Sequence, residues 1–259
     1  GIRSKVAQWS QSVLNTSRHA ELVNLACKSA ILNRGLSHLI FPDEVQNLPA
    51  AEGANAGGPE GRLPSRSITP PAEALDRAVE LLAAAERPVI IVGHGARFEM
   101  ESVLALAEQL ACPVLTTFKA KGTVADKHPL GSGVLGRSGT PIASWFMNEA
   151  DLLIVFGASF ANHTGIEARK PIIQVDFDRL ALGKFHPVEV PVWGEIGTTV
   201  GLFLASLSEV NTVDARPDVA ERWRLWREEK ANRATKDNGK GLNSAIIFET
   251  LTHEIADDA

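Results

Sequence analysis

The sequence predicts an α/β fold: a parallel sheet with helices on both faces. Three observations predict it. Short, wholly apolar runs such as Val89–Val92 and Leu152–Phe156 read as strands buried on both sides. Amphipathic stretches with helical spacing alternate with them. The connections are short, and strand–helix–strand repetition with short connections implies parallel pairing. Composition agrees, because 44% hydrophobic and 22% charged residues among 259 suit a packed core and exclude global disorder.

Taken in order, Ala20 to Leu32 places Leu22, Leu25, Ala26, Ala30 and Leu32 at helical spacing, with Gly35 expected as its left-handed cap. Leu36–Phe41 reads as a strand closed by Pro42-Asp43. One helix and one strand cannot bury a core, so residues 1–46 are expected to end a domain. Asn47 to Ser67 holds four glycines and three prolines, and residues 47–68 read as a linker. Thr69-Pro70-Pro71 opens a helix with Thr69 as N-cap, and Leu75, Ala78, Val79, Leu82 and Ala83 line one face. Pro88–Val92 is a strand, turning through Gly93-His94-Gly95-Ala96 into a helix that carries Val103, Leu104, Leu106, Ala107 and Leu110. Cys112–Thr116 is the next strand, and Lys119 to Gly139 a glycine-rich loop. Pro141–Glu149 is a helix, then Asp151–Phe156 and Pro171–Val175 are strands. A helix follows Gly197 to about Leu207. A charged helix from about Pro217 to Arg233 carries Trp223 and Trp226 as packing anchors. Thr235–Gly241 is polar, and a last helix runs from Asn243 to Ile255. The expected organisation is a central domain over 69–210, a helical linker over 211–241 and the start of another domain over 242–259.

Several functions are excluded or disfavoured. A net charge of −5 gives no basic excess for nucleic acid. The longest apolar runs are far short of a bilayer span, so no membrane span is expected. Cys27 and Cys112 have no metal-like spacing and suggest a reducing, cytoplasmic compartment. His94, His128, His163 and His186 are scattered, so no metal site is expected. No Gly-x-Ser-x-Gly occurs at a strand end, Gly131-Ser132-Gly133 falling short of it, and the absence of tyrosine removes phenol chemistry. No catalytic residue is expected within this sequence.

A ligand site is expected where strands end. In Gly93-His94-Gly95 two glycines let backbone approach a diphosphate, and a helix start offers amides and a positive dipole end. A third glycine is missing near Phe98, and a tight turn packing helix onto sheet explains the same residues equally well. Gly93, Thr116, Gly157 and Asp176 would lie along the carboxyl edge of the sheet, Asp176 placed to accept ribose hydroxyls. Asp178 caps the turn before Leu180 on the alternative reading. Arg137 either pairs with a phosphate or is a solvated surface cation, as are Lys119 and Lys121.

The run Arg87 to Ala96 resembles the start of the central domain of thiamine-diphosphate-dependent enzymes, nearest to pyruvate oxidase, quinone-dependent pyruvate dehydrogenase and acetolactate synthase. Leu110–Thr117, the loop Lys119–Pro129 ending on His-Pro, Ala150–Gly157, and Ile173–Asp178 with Gly183-Lys184 are similar to that domain in the same order. His38–Gln46 looks like the last strand of the family's pyrimidine-binding domain, and the helix from Asn243 like the start of its diphosphate-binding domain. The resemblance implies a Rossmann-like central domain of a parent enzyme that decarboxylates, oxidises or ligates a 2-oxo acid such as pyruvate. That parent would use thiamine diphosphate and Mg²⁺ and assemble as a homodimer or homotetramer. The family's Gly-Asp-Gly…Asn-Asn motif is not in this sequence, and the segment bearing its activating glutamate would precede Gly1. The chain is therefore expected to be a cut from a longer one, without catalysis of its own. In flavin-containing members this domain binds the adenine nucleotide part of FAD. Gly93, His94 and Gly95 match the diphosphate turn, Gly157-Ala158 a turn near the flavin, and Asp176 the acidic group near the ribose. Ser159 and His163 stand where acetolactate-synthase-type members carry arginines, and Arg137-Ser138 replaces their Met-His pair. A free-standing, non-catalytic adenine-nucleotide-binding or structural module is the alternative.

Overall fold

The computed structural model describes residues 6–49, 58, 60–160, 163–235, 239 and 241–256. Parts of both expected linkers (50–57 and 59; 236–238 and 240) and the last three residues lie outside this range. The chain divides into two compact units, Gly1–Arg66 and Ser67–Ala259.

In the first unit, β1 (Trp9–Ser12) pairs in parallel with β2 (Ser37–Ile40), Trp9 opposite Ser37 and Ser12 opposite Ile40. α1 (His19–Leu32) makes the crossover and α2 (Asp43–Gln46) follows. β1 was not expected, because Trp-Ser-Gln-Ser shows no apolar alternation. The left-handed residue after α1 is Arg34 (φ 49°), not Gly35. The Gly35 N–H instead closes the helix by donating to Ala30 O at 3.1 Å, as the second residue of a Schellman motif does. Among the described residues only Val13 and Ala26 of this unit are buried hydrophobics, while Leu25, Ile31, Ile40 and Phe41 stay exposed.

The second unit is built on one six-stranded sheet. Its strands are β3 (Pro88–Val92), β4 (Val114–Thr116), β5 (Gly131–Val134), β6 (Leu152–Phe156), β7 (Ile172–Asp176) and β8 (Val190–Trp193). All are parallel, in the order β5-β4-β3-β6-β7-β8. The chain starts in the middle at β3, winds outward to β5, returns to β6 and winds outward the other way. This makes the β3/β6 boundary a topological switch point. α3 (Ala72–Ala84) and α4 (Met100–Gln109) both pack with α6 (Ile196–Ser206), whereas α5 (Pro141–Glu149) packs with α7 (Arg216–Ala234). α8 (Ser244–Glu254) lies against α7. Every residue of β3, β6 and β7 is buried, which is why these strands are apolar throughout. Phe156, Phe203, Leu82, Leu106 and Leu115 are among the fully buried side chains around them.

β3 and α5 carry the expected bounds, and Thr140 caps α5 by accepting the Ala143 N–H at 3.3 Å. Other expectations are corrected. Thr69 is not the N-cap of α3: the helix starts at Ala72 with Pro71 at the cap and no side-chain bond. Residues preceding prolines are pushed to extended backbone, which delays the helix. The Gly93 turn does not run straight into α4; a single 3-10 turn, His94–Ala96, intervenes. Gly131-Ser132-Gly133 is no flexible loop but part of the edge strand β5, buried along its length. The indole N–H of Trp223 donates to Gly131 O at 2.7 Å, and a Cβ at Gly131 would stand 2.7 Å from Ala125 O. Glycine here serves close packing. β8 was also not expected, since Pro191 disguises it; proline is tolerated there because β8 is an edge strand. Among the described residues no helix is long and apolar enough to cross a membrane.

Candidate functional site

Sheet register sets the candidate site. Val92 lies opposite both Thr116 and Phe156, and Phe156 opposite Val175. Thr116, Gly93, Gly157 and Asp176 therefore reach the same carboxyl rim, as the sequence implied. At the switch point the two central turns close on each other. Gly93 N–H donates to Phe156 O at 2.8 Å, Gly95 N–H to Gly157 O at 3.0 Å, and Gly157 N–H to Val175 O at 3.1 Å. A Cβ on Gly93 would lie 2.5 Å from Ala158 Cα, and one on Gly95 2.8 Å from Gly157 Cα. Gly157 itself has φ +61° and faces Ala96 N. All three glycines are required by this backbone crossing. The Gly93 and Gly95 amides are spent on carbonyl oxygens, and the helix start expected to offer free amides comes further on, at Met100.

The other rim residues fall into two groups. Thr116 and Ala158 are buried, and the Thr116 hydroxyl is turned toward Gly133 O at 3.4 Å. Asp176 is buried and its Oδ1 accepts the Asp178 N–H at 2.9 Å; Asp178 in turn accepts the Leu180 N–H at 3.0 Å, so its capping role is present. His94 and Arg137 are exposed. Arg137 N–H donates to His163 O at 3.3 Å, which brings the loop after β5 against the loop after β6. Beside His94, the Arg97 guanidinium donates to His94 O at 2.9 Å and lies 4.2 Å from the Phe98 ring centre. The rim thus presents exposed cationic side chains above a floor of satisfied backbone.

One residue of this floor escaped the sequence reading. Gln174 lies in the middle of β7, fully buried, with its amide N–H groups donating to Ala158 O at 3.0 Å and Ala181 O at 3.1 Å. Its Oε1 accepts the Gly183 N–H at 2.8 Å. The signal was present: an amide inside an apolar buried strand must find partners. Burial pushes the Cys112 thiol up to about 12, but Cys112 precedes β4 at the opposite edge of the sheet. Arg169 beside Glu167 holds that half-buried carboxyl at about 2. Among the described residues no three His, Cys, Asp or Glu side chains gather to hold a metal ion.

Residues 75–203 match the family described as thiamine pyrophosphate enzyme, central domain. This span runs from within α3 to within α6 and contains the whole six-stranded sheet. The chain is 31% identical over 277 positions to the acetolactate synthase large subunit of Corynebacterium glutamicum, covering 100% of this chain and 43% of that protein. It is 28% identical over 214 residues to the pyruvate oxidase of Lactiplantibacillus plantarum, covering 80% and 35%. Against the acetolactate synthase isozyme 1 large subunit of Escherichia coli it is 34% identical over 129 residues, covering 48% and 23%. The chain thus spans well under half the length of these curated relatives. A doubly wound sheet in the order seen, matched as a unit, places the chain in the thiamine pyrophosphate enzyme family, with residues 75–203 as its central domain.

Proposed function

We propose that this chain supplies the central domain, with flanking ends, of a thiamine-diphosphate-dependent enzyme that decarboxylates, oxidises or ligates a 2-oxo acid such as pyruvate. The observation that carries this reading is the family match over the entire sheet from α3 to α6. In the parent, thiamine diphosphate would supply the electron sink that cleavage or ligation of a 2-oxo acid requires. The residues that hold it and Mg²⁺ are proposed to lie outside this sequence, which carries no Gly-Asp-Gly…Asn-Asn motif. This chain's contribution is a rigid scaffold, and it turns over no substrate alone. The proposed organisation is the end of a pyrimidine-binding domain over 1–46, a linker over 47–68, the central domain over 69–210, a helical linker over 211–241 and the start of a diphosphate-binding domain from 242. The division of the chain after Arg66 and the exposed apolar residues of the first unit support it. A homodimeric or homotetrameric parent in the cytoplasm completes the reading.

A second reading gives the rim a ligand, the ADP part of FAD, and its support is the convergence of Gly93, Thr116, Gly157 and Asp176 on the switch-point edge. The Gly93 and Gly95 amides do not fit a diphosphate, because both are already bonded. Exposed His94 and Arg137 are the groups that would meet phosphate oxygens, with Asp176 at the ribose position.

Thermal unfolding of the purified chain with added FAD, and separately with ADP, tests both. At a hundredfold excess over Kd, binding raises the melting temperature by roughly 5–10 °C. A flat response to both removes the nucleotide reading and leaves the scaffold. Turnover of pyruvate with thiamine diphosphate and Mg²⁺ by this chain alone would overturn the scaffold reading.

A further inference from the structure

We infer that Gln174 is a positioning residue that clamps together the two walls of the rim, and that nucleotide binding at the rim depends on this clamp. The inference rests on the nucleotide reading above and names a residue that this reading did not contain. One wall is the Gly157-Ala158 turn after β6; the other is the segment Asp176–Gly183 after β7. Successive strand residues point to opposite faces, so Gln174 shares its face with Asp176, one step deeper along β7.

The clamp is complete in hydrogen-bonding terms. The two N–H groups of the Gln174 amide meet Ala158 O and Ala181 O, and its oxygen meets the Gly183 N–H. The orientation of the amide is fixed by these partners, since two carbonyls demand the nitrogen and an N–H demands the oxygen. Local bonds then carry the constraint outward. Asp178 N–H is held by Asp176 Oδ1, Leu180 N–H by Asp178 Oδ1, and Ala181 N–H by Asp178 O at 2.9 Å. The position of Asp176 and the turn beyond it is therefore tied through one buried side chain to Ala158, beside the glycine crossing. An apolar residue would have filled β7 as its neighbours Ile172, Ile173 and Val175 do, without joining these segments. A buried amide that bonds to three loop groups sets the geometry of those loops at the cost of desolvating itself.

Amide hydrogen exchange on the unaltered chain and on Gln174→Met, combined with ADP titration, tests this. In the unaltered chain Gly183 N–H exchanges slowly although the residue is exposed, whereas the exposed neighbour Phe185 exchanges fast. Gly183 exchanging as freely as Phe185 overturns the clamp without any variant. In Gln174→Met, which keeps the chain length of the side chain, protection at Gly183 falls by roughly tenfold or more while β3 and β6 amides stay protected. ADP affinity falls by a similar factor in the same variant. Equal ADP affinity in the unaltered chain and Gln174→Met, with the walls loosened, overturns the positioning role and leaves the nucleotide reading standing. No ADP binding by the unaltered chain removes the nucleotide reading and the binding role together, whatever the exchange pattern.

Discussion

A methyl group added at Gly93 would stand 2.5 Å from Ala158 Cα, with backbone on the far side that cannot yield. Gly93→Ala is therefore expected to cost about 3 kcal/mol or more, the upper range for overpacking. Gly201 is the contrasting case: it sits on the exposed side of α6, and a Cβ there meets nothing within 4 Å. Gly201→Ala should stabilise by about 0.5–1 kcal/mol, because alanine loses less backbone entropy in a helix. Urea unfolding midpoints of the two variants, moving in opposite directions, check the pair. The cysteines divide in the same way. Cys27 is exposed and Cys112 buried, so a thiol reagent should modify Cys27 at once and Cys112 only after unfolding. Burial raises the Cys112 thiol from 9.0 to about 12, so the folded chain keeps a proton that the unfolded chain loses. The associated stability is full below 9.0 and disappears as pH climbs toward 12. Stability measured from about pH 8 to about pH 11 should fall more steeply in the unaltered chain than in Cys112→Val.

Among the elements, β5 depends most on a distant partner. It is a four-residue edge strand with two glycines, and Trp223 of α7 holds it through the 2.7 Å bond to Gly131 O. α7 is itself anchored on the same side of the molecule: Arg222 lies 3.8 Å over the Trp145 ring of α5, and Arg87 pairs with Asp218 at 2.8 Å. Trp223→Phe keeps the ring against the core and removes only the donor. It should cost about 1 kcal/mol in thermal unfolding and speed amide exchange locally at β5. A loss spread evenly over all strands would contradict the assignment of Trp223 to this edge. The element scale also shows where sequence patterns stop. β3, β6 and α5 are legible because burial imposes an apolar run or a helical period on neighbouring residues, and α7, in which only Val219 is buried, because its long charged stretch is unbroken. β5 and β8 are not, because glycine or proline breaks the pattern and the strand exists only through its sheet neighbour.

For the whole molecule, the two units predict different independence. Residues 67–259 hold the sheet, its helices and almost all of the buried apolar side chains, so this piece should unfold in one cooperative transition by itself. Residues 1–66 offer a two-stranded pair with two buried hydrophobics among the described residues, too little to offset chain entropy. Expressed alone, that piece should give no cooperative transition; a sharp one would show that the first unit is a domain in its own right.

By itself the sequence determined the alternation of buried strands and amphipathic helices, hence a parallel sheet, and carried enough ordered motifs to suggest the family that residues 75–203 match. It also placed Gly93, Thr116, Gly157 and Asp176 on one edge, because strand ends follow from apolar runs. Only the tertiary structure decided how the groups at that edge are spent. The Gly93 and Gly95 amides bond to carbonyls more than sixty residues away, and Gln174 joins two loops that no local pattern connects. The physical reason is range. Periodicity records burial between neighbours along the chain, whereas hydrogen-bond partners across a sheet are fixed by register and by which turns meet at its rim.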